Sequence, residues 1–231
     1  MTDMQGETMM RKGLIFLLLM IYPMVFASRL AAVEAQWKLD KDKHGVQSYS
    51  RAVYGSSIKE YRAVAVANYP IEVLLEVLID VPSFPKWMPN CKEAEILKEF
   101  HKGLERGNYY VHIVFSTMWP ASERDLILES VPKTDWDKGV SVIRLNKLEN
   151  YPLPLKKGLV RVQEFSSEFK FEYISRDKTM VTFTTYVDPV GSVPLSLAAM
   201  QTSNVPYGTL VGLQKIAADP RYHKAAARDY Y

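Results

Sequence analysis

An α+β fold is predicted, in which a strongly curved antiparallel sheet of about nine strands wraps around a long C-terminal helix. Short strand-like segments dominate the chain after residue 36. The apolar spacing becomes helical over 70–80, returns to strand-like segments, and becomes helical again over 194–218. Strands, one helix, more strands and a final helix in this order are typical of such an architecture.

Nine segments rich in β-branched and aromatic residues are interpreted as strands. Turn-forming residues separate them, among them Gly103, Gly107, Gly139 and Asp177. The stretch 42–45 (DKHG) indicates a hairpin between the first two strands. The predicted strands cover 37–42, 46–53, 58–68, 91–99, 108–116, 123–131, 140–147, 161–175 and 179–187.

Two segments have helical spacing. Residues 70–80 begin with a proline, which suits a first helical turn, and carry apolar residues at helical intervals. Residues 194–218 repeat this spacing, and Pro206 is expected to kink that helix near its middle. A sheet that wraps around one helix often cannot fill its interior with side chains alone, so the pattern also predicts an internal cavity.

The N-terminal residues 1–35 are interpreted as a segment outside the folded domain. Residues 13–27 carry no charge and follow two basic residues, and the run falls short of the ~20 apolar residues that a membrane-spanning helix needs. Residues 1–35 therefore resemble a secretory signal peptide, with cleavage expected after Ala35 or, alternatively, after Ala27. We expect 36–231 to form a single secreted or periplasmic domain. An uncleaved signal anchor that tethers the protein to a membrane is the other interpretation.

Composition excludes several classes of function. A net charge of +3, from 29 basic and 26 acidic residues, is too balanced for a nucleic-acid-binding protein. One cysteine, Cys91, excludes an intrachain disulfide and a multi-thiolate metal site. The chain has no phosphate-binding glycine loop, no dinucleotide-binding glycine pattern and no Gly-x-Ser-x-Gly nucleophile motif. We therefore predict no cofactor and no metal, and we expect a monomer.

Four short stretches, in order along the chain, resemble segments of the START (steroidogenic acute regulatory protein-related lipid transfer) domain family. They are KWMPN at 86–90, WPASERD at 119–125, GLVRV at 158–162 and DPVGSVP at 188–194. The resemblance covers residues 37–218 and implies a helix-grip fold around a hydrophobic cavity for one lipid or sterol. It also implies lipid binding and transport with transient membrane contact and without catalysis. The signal peptide is a departure from many known members, which are cytosolic.

Arg124 is the most informative candidate binding residue. On its predicted strand it shares one face with Leu126 and Leu128, while the opposite face, with Asp125, is interpreted as solvated. A guanidinium on an apolar face is costly unless it is paired or hydrogen-bonded. Arg124 resembles the arginine with which phospholipid-binding START proteins meet the lipid phosphate, so we expect it to receive a polar head group. The alternative is an ion pair with an internal carboxylate.

Other predicted strand residues could line the cavity. His112 lies on a mixed face, and the resemblance places it near a polar cavity position; a core or surface histidine is the alternative. The strand 161–175 presents an aromatic face that would suit an apolar ligand, although ordinary core packing also explains it. The aromatic candidates are Phe165, Phe169, Phe171 and Tyr173, to which Tyr61, Phe183 and Tyr186 are added.

A loop and the last helix are expected to form a lid that meets the membrane. Trp119 and Met118 lie between two predicted strands, where a tryptophan would suit the membrane interface or fold back into the cavity mouth. Leu195, Met200 and Pro206 are the corresponding candidates on the last helix.

The sequence is also compatible with two other functions. Enzymes of the helix-grip superfamily, such as cyclases and hydrolases, act on bulky hydrophobic substrates and need acid or base residues inside the cavity. His112 is the one fair candidate for such a role. A ligand-sensing module that binds a partner without moving lipid is the third interpretation.

Overall fold

The computed structural model describes residues 36–100, 107–117, 121–188 and 203–230, which fold into ten strands and three α-helices. The elements are β1 (Lys38–Lys43), β2 (Val46–Ala52), β3 (Lys59–Ala67), α1 (Ile71–Ile79), a 3₁₀ helix (Val81–Lys86), β4 (Cys91–Glu99), β5 (Tyr109–Phe115), β6 (Glu123–Asp135), β7 (Val140–Lys147), β8 (Leu159–Arg161), β9 (Glu164–Ser175), β10 (Lys178–Asp188), α2 (Val205–Ile216) and α3 (Pro220–Asp229).

All ten strands belong to one sheet. Its order is β1-β2-β3-β10-β9-β7-β6-β5-β4, and each neighbouring pair is antiparallel. The short strand β8 pairs in parallel with the start of β6. The predicted α+β architecture is confirmed: a large antiparallel sheet surrounds the core together with the C-terminal helices.

One face of the sheet forms the core. Ala63 on β3, Leu126 on β6, Phe169 on β9 and Val181 on β10 are all buried on that face. Alternate residues of a strand point to opposite sides, so each strand supplies every second side chain to this interior. The helices α1 and α2 cover it, since α1 packs near β9 and α2 packs against β2, β3 and β10.

Helix α1 is buried on more than one side. Leu74 and Val77 have no exposed surface, and the helix packs against α3. Pro70 precedes the first turn, where its missing N–H has no helical partner to lose. The chain then turns through the 3₁₀ helix, whose Ser83 N–H and hydroxyl both donate to the Asp80 carbonyl.

Helix α2 approaches the loop after the 3₁₀ helix very closely. A Cβ at Gly212 would lie 2.0 Å from the Trp87 carbonyl oxygen, and a Cβ at Gly208 would lie 2.6 Å from Pro89 Cγ. The two glycines are four residues apart and therefore share one face of the helix. The 87–89 loop packs against this face, and a side chain at Gly208 or Gly212 would prevent that close packing.

The C-terminal helices differ from the prediction in one respect. Helix α2 begins at Val205 with Pro206 in its first turn, and the predicted helix before residue 203 lies outside the described residues, so the kink expected at Pro206 stays a prediction. The chain also forms α3, which the sequence analysis did not include. Asp219 caps α3 by accepting from the Arg221 N–H at 3.0 Å, and Pro220 follows in the first turn.

The outer face of β6 is buried at Asp125 and Ile127, where its interpretation as solvated is wrong. Asp125 and Ile127 are 1% and 3% exposed. The chain between β7 and β8 crosses this face, where the Tyr151 ring packs edge-on against Tyr110 at 5.8 Å. Local alternation predicted which side chains share a face but carried no information about this covering segment.

Among the described residues, no helix is long and apolar enough to cross a membrane.

Candidate functional site: a cavity between sheet and helices

A cavity of about 710 Å³ lies between the concave face of the sheet and the helices. Strands β5, β6, β7, β9 and β10 form one wall, and α1, the 3₁₀ helix and α2 form the other. Its lining is mainly apolar: α1 contributes Leu75, Leu78 and Ile79, and the segment after it contributes Val81, Phe84 and Met88. An apolar cavity of this size with a few polar groups is typical of a small-molecule binding site.

Strand β6 runs along the whole cavity. Its alternate residues Arg124, Leu126, Leu128, Ser130, Pro132 and Thr134 all line it. At ~3.3 Å per residue, the ten-residue step from Arg124 to Thr134 follows the curved strand for ~33 Å. The cavity is therefore long enough for an extended hydrocarbon chain.

Arg124 lies at one end of this row. Its side chain is largely buried, 7% of the residue being exposed, and Nη1 donates to the Ser122 carbonyl. Burial lowers the pKa of the guanidinium from its usual value, but an arginine remains charged at neutral pH. Ser116 and Thr117 line the same end, since they follow Phe115, which pairs with Arg124 across β5 and β6. Asn90 joins them, because its carbonyl accepts from the backbone N–H of Ser116.

Hydroxyl groups line the middle of the cavity. Ser167 donates to Thr185 at 2.5 Å, and both residues are buried. Thr209, on α2, has no exposed surface, and its Oγ1 makes no hydrogen bond with the described residues. Most buried polar groups in proteins are hydrogen-bonded, so this arrangement is unusual.

The opposite end of the cavity has an aromatic border. Trp136, on the β6–β7 turn, packs edge-on against Tyr230 with ring centroids 5.5 Å apart. Both line the cavity, together with Glu72 and Asp229. Trp136 is half exposed, so this end of the cavity lies next to solvent.

The structure brings four of the predicted ligand-binding residues to the cavity: Arg124, Phe165, Phe169 and Phe183. The rings of Phe169 and Phe183 stack with centroids 4.1 Å apart. These residues come from three strands, β6, β9 and β10, that bend around the same space.

Five predicted ligand-binding residues do not line the cavity. Phe171 and Tyr61 face inward but are packed into the filled core, and Tyr173 lies at the end of β9 with 60% exposure. Tyr186 cannot share a face with Phe183, because the two are three residues apart on one strand. Its hydroxyl instead lies 3.0 Å from the Ser56 hydroxyl.

His112 is the fifth predicted ligand-binding residue that does not line the cavity. It lies on the outer side of the sheet, where Nδ1 is 3.0 Å from Glu95 Oε1 and Nε2 is 3.2 Å from Asp125 Oδ2. Arg161 donates to both oxygens of Asp125, at 3.2 and 2.6 Å, and also to the Leu153 carbonyl at 2.8 Å. This cluster fastens the β7–β8 segment over β6, so the expected cavity role of His112 is wrong.

The predicted lid residues Met118, Trp119, Leu195 and Met200 lie outside the described residues. Pro206 is described and is buried at the start of α2. Their contact with a membrane stays a prediction.

Several lining residues escaped the sequence analysis. Leu75, Leu78 and Ile79 belong to a helix whose apolar residues lie on nearly all sides, and this breadth could have indicated that α1 faces both the core and a cavity. Thr209 and Trp136 carry no comparable signal. A threonine in a helix and a tryptophan in a turn acquire their significance only from the tertiary fold.

Comparisons with known proteins agree with this geometry. Residues 22–205 match the START domain family. An uncharacterized protein of Pseudomonas aeruginosa is 30% identical over 193 residues, which cover 84% of this chain and 92% of that protein.

Solved structures are also similar. A STAR-related lipid transfer protein of Xanthomonas axonopodis (fragment 25–204) superposes with a TM-score of 0.70 at 29% identity, covering 78% of this chain and 98% of that one. Human STARD10 superposes with a TM-score of 0.70 at 18% identity, covering 89% and 82%, which shows the shared fold alone. With the helix-grip sheet, the apolar cavity and the matched segment together, the chain belongs to the START domain family.

Proposed function

We propose that the protein binds one lipid in the cavity and carries it between membranes without catalysing a reaction. The observation that carries this proposal is the apolar cavity with a buried arginine at one end, in a chain of the START domain family. A relative of similar fold, from Xanthomonas axonopodis, is described as a STAR-related lipid transfer protein. Its name supports the same class of function here.

The size of the cavity favours a lipid with one hydrocarbon body. Pockets for drug-sized ligands are about 300–1,000 Å³, and a cavity of about 710 Å³ lies within that range. A fatty acid, a single-chain phospholipid or a sterol suits such a cavity, whereas a phospholipid with two long chains is considerably larger. With Arg124 at one end, a single-chain lipid with an anionic head group fits best.

Burial of the hydrocarbon would supply most of the binding free energy. Each methylene that leaves water contributes ~0.8 kcal/mol, so about 15 methylenes contribute ~12 kcal/mol before the costs of ordering and association. Arg124 would add charge-assisted hydrogen bonds to the head group and thereby select among lipids of equal chain length.

The position of His112 supports binding without catalysis. The sequence offered this one residue as an acid or base for a cyclase-like or hydrolase-like reaction. Its imidazole faces Glu95 and Asp125 on the outer side of the sheet, away from the cavity. No specific observation favours the ligand-sensing alternative.

The compartment and the membrane contact are part of the proposal. A signal peptide over residues 1–35 would place the protein outside the cytoplasm, where a lipid needs a carrier to cross water. Contact with the membrane is assigned to Trp119 and Met118, whose residue types suit the interface.

Replacing Arg124 tests the head-group assignment. Palmitic acid and 1-monopalmitoylglycerol carry the same chain, with a charged and a neutral head. We expect Arg124→Leu to weaken palmitate binding at least tenfold and to leave monopalmitoylglycerol binding within twofold, because a hydrogen bond to a charged group contributes ~1.5–3 kcal/mol. Arg124→Lys should retain part of the preference, since it keeps the charge but not the two-pronged geometry.

Thermal unfolding of each variant establishes that the fold is intact before binding is measured by calorimetry. An unchanged preference for palmitate in folded Arg124→Leu would refute the assignment. Transfer of a fluorescent fatty acid between two vesicle populations tests the carrier role separately. A transfer rate that the protein does not raise would refute transport and leave lipid binding in place.

A further inference from the structure

The middle of the cavity contains a transverse row of hydroxyl groups. Ser130 on β6 pairs with Leu145 on β7, Leu145 pairs with Ser167 on β9, and Ser167 pairs with Thr185 on β10. The four residues therefore lie side by side across the sheet, and all of them line the cavity. Three of the four carry a hydroxyl, in a wall that is otherwise largely apolar.

This row lies far from Arg124. Ser130 lies six positions after Arg124 on β6, which corresponds to ~20 Å along the strand at ~3.3 Å per residue. A head group bound at Arg124 would therefore leave the row beside the hydrocarbon body of the ligand. Hydroxyl groups in this position would be a disadvantage for a purely hydrocarbon chain.

The row has a proton to donate. Ser167 and Thr185 are joined by one hydrogen bond of 2.5 Å, which uses the proton of one hydroxyl and leaves the proton of the other for a third group. Both residues are buried, with 6% and 4% exposure. Within the described part of the chain, no further hydrogen bond of these two side chains is found.

Thr209 adds a hydroxyl from the opposite wall. Helix α2 packs against β3 and β10, the strand that carries Thr185. Thr209 lines the cavity with no exposed surface, and its Oγ1 makes no hydrogen bond to the described residues. A buried hydroxyl without a partner is costly in a protein and calls for a specific reason.

We propose that Thr209, with the adjacent Ser167–Thr185 pair of the row, forms a second polar subsite that binds an oxygen on the body of the lipid. The ligand class is a single-chain lipid with a hydroxyl or carbonyl group along its chain, such as a hydroxylated fatty acid. This inference rests on the proposed lipid-binding function and deepens it. Arg124 selects the head group, and Thr209 selects the oxygenated chain.

The test compares probes that differ only in the chain oxygen. Stearic acid and 12-hydroxystearic acid share a length and a carboxylate, and 16-hydroxypalmitic acid paired with palmitic acid places the hydroxyl at the chain end. Affinities are measured by calorimetry for the wild-type protein, Thr209→Val, Thr209→Ser and Thr182→Val. Thr182→Val is a matched control, because Thr182 lies on the outer face of β10.

In wild type we expect at least one hydroxylated probe to bind as tightly as its parent acid or more tightly. Thr209→Val should shift that ratio at least tenfold towards the parent acid, while Thr209→Ser and Thr182→Val keep it within threefold. The melting temperature of lipid-free Thr209→Val should not fall, because a methyl group replaces a hydroxyl that has no hydrogen-bond partner among the described residues. A merely structural role for the hydroxyl would instead lower the melting temperature and leave the ratio unchanged.

Two other outcomes separate this inference from the proposed function. If wild type binds the parent acids but Thr209→Val leaves both ratios within twofold, the subsite is refuted and lipid binding stands. If wild type binds none of the four acids, the proposed function fails, and the subsite fails with it.

Discussion

Replacing Gly212 by alanine tests how closely α2 must approach the 87–89 loop. The added Cβ would lie 2.0 Å from the Trp87 carbonyl oxygen, and real Cβ atoms essentially never come within 3.0 Å of such an atom. The helix or the loop must therefore move by at least about 1 Å. Because the obstructing atom belongs to the backbone, no side-chain rotation can relieve the contact.

The magnitude follows from two opposing terms. Alanine gains ~1 kcal/mol over glycine in helix propensity, whereas overpacking a close contact costs ~1–3 kcal/mol. A backbone obstruction belongs at the upper end of that range, so we expect a net loss of ~2 kcal/mol. For a domain of this size that corresponds to a fall in melting temperature of about 4–8 °C.

Thermal unfolding followed by circular dichroism measures this change. Lys215→Ala, an exposed substitution in the same helix, is the control and should alter the melting temperature by no more than about 2 °C. The shift should also disturb the cavity, because Met88 within the loop and Phe84 just before it both line the cavity. A melting temperature that rises in Gly212→Ala would refute the close approach of α2 to the loop.

Further predictions concern the outer cluster and the cysteine. Arg161→Met removes the cation that pairs with the buried Asp125 carboxylate and should lower the free energy of unfolding by ~3 kcal/mol in urea titrations; a loss below 1 kcal/mol would contradict the clamp. Arg144→Met, which breaks an exposed pair with Glu168, is its control and should cost less than ~1 kcal/mol. Burial raises the pKa of the Cys91 thiol to about 12, so the native protein should resist thiol reagents at pH 8 and react only after unfolding; rapid labelling of the folded protein would contradict that burial.

The fold was largely predictable because its signals are local. Alternation of apolar and polar residues identified the strands, and the change to helical spacing identified α1. The missed helix α3 also has a local signal, since Asp219 followed by Pro220 is typical of a helix start. Sequence reasoning could have found it from these two residues.

The candidate site was predictable only where strand alternation decides the outcome. Arg124, Phe165 and Phe169 were placed by the parity of their strands, and the structure brings all three to the cavity. Strand parity predicts which side chains face inward, but not whether they border the cavity or the packed core. Phe171 was therefore named as a lining residue although it is buried in the core.

His112 and Thr209 show what local sequence patterns cannot predict. His112 was expected to line the cavity and does not, whereas Thr209 lines it and was not predicted. The residues that surround His112 come from β4 and β6, and the β7–β8 segment that covers them is distant in sequence. Thr209 is unremarkable in its helix until the helix lies over the cavity. Both assignments depend on long-range contacts that no periodicity contains.

Native mass spectrometry of the protein purified from its own host tests the central claim most directly. We predict one bound molecule per chain, with a mass that corresponds to a single-chain lipid and with an oxygen beyond its head group. The lipid should be lost after extraction with solvent and recovered after incubation with vesicles that contain it. A protein that carries no lipid from its host and takes up none from vesicles of host lipids would contradict the account.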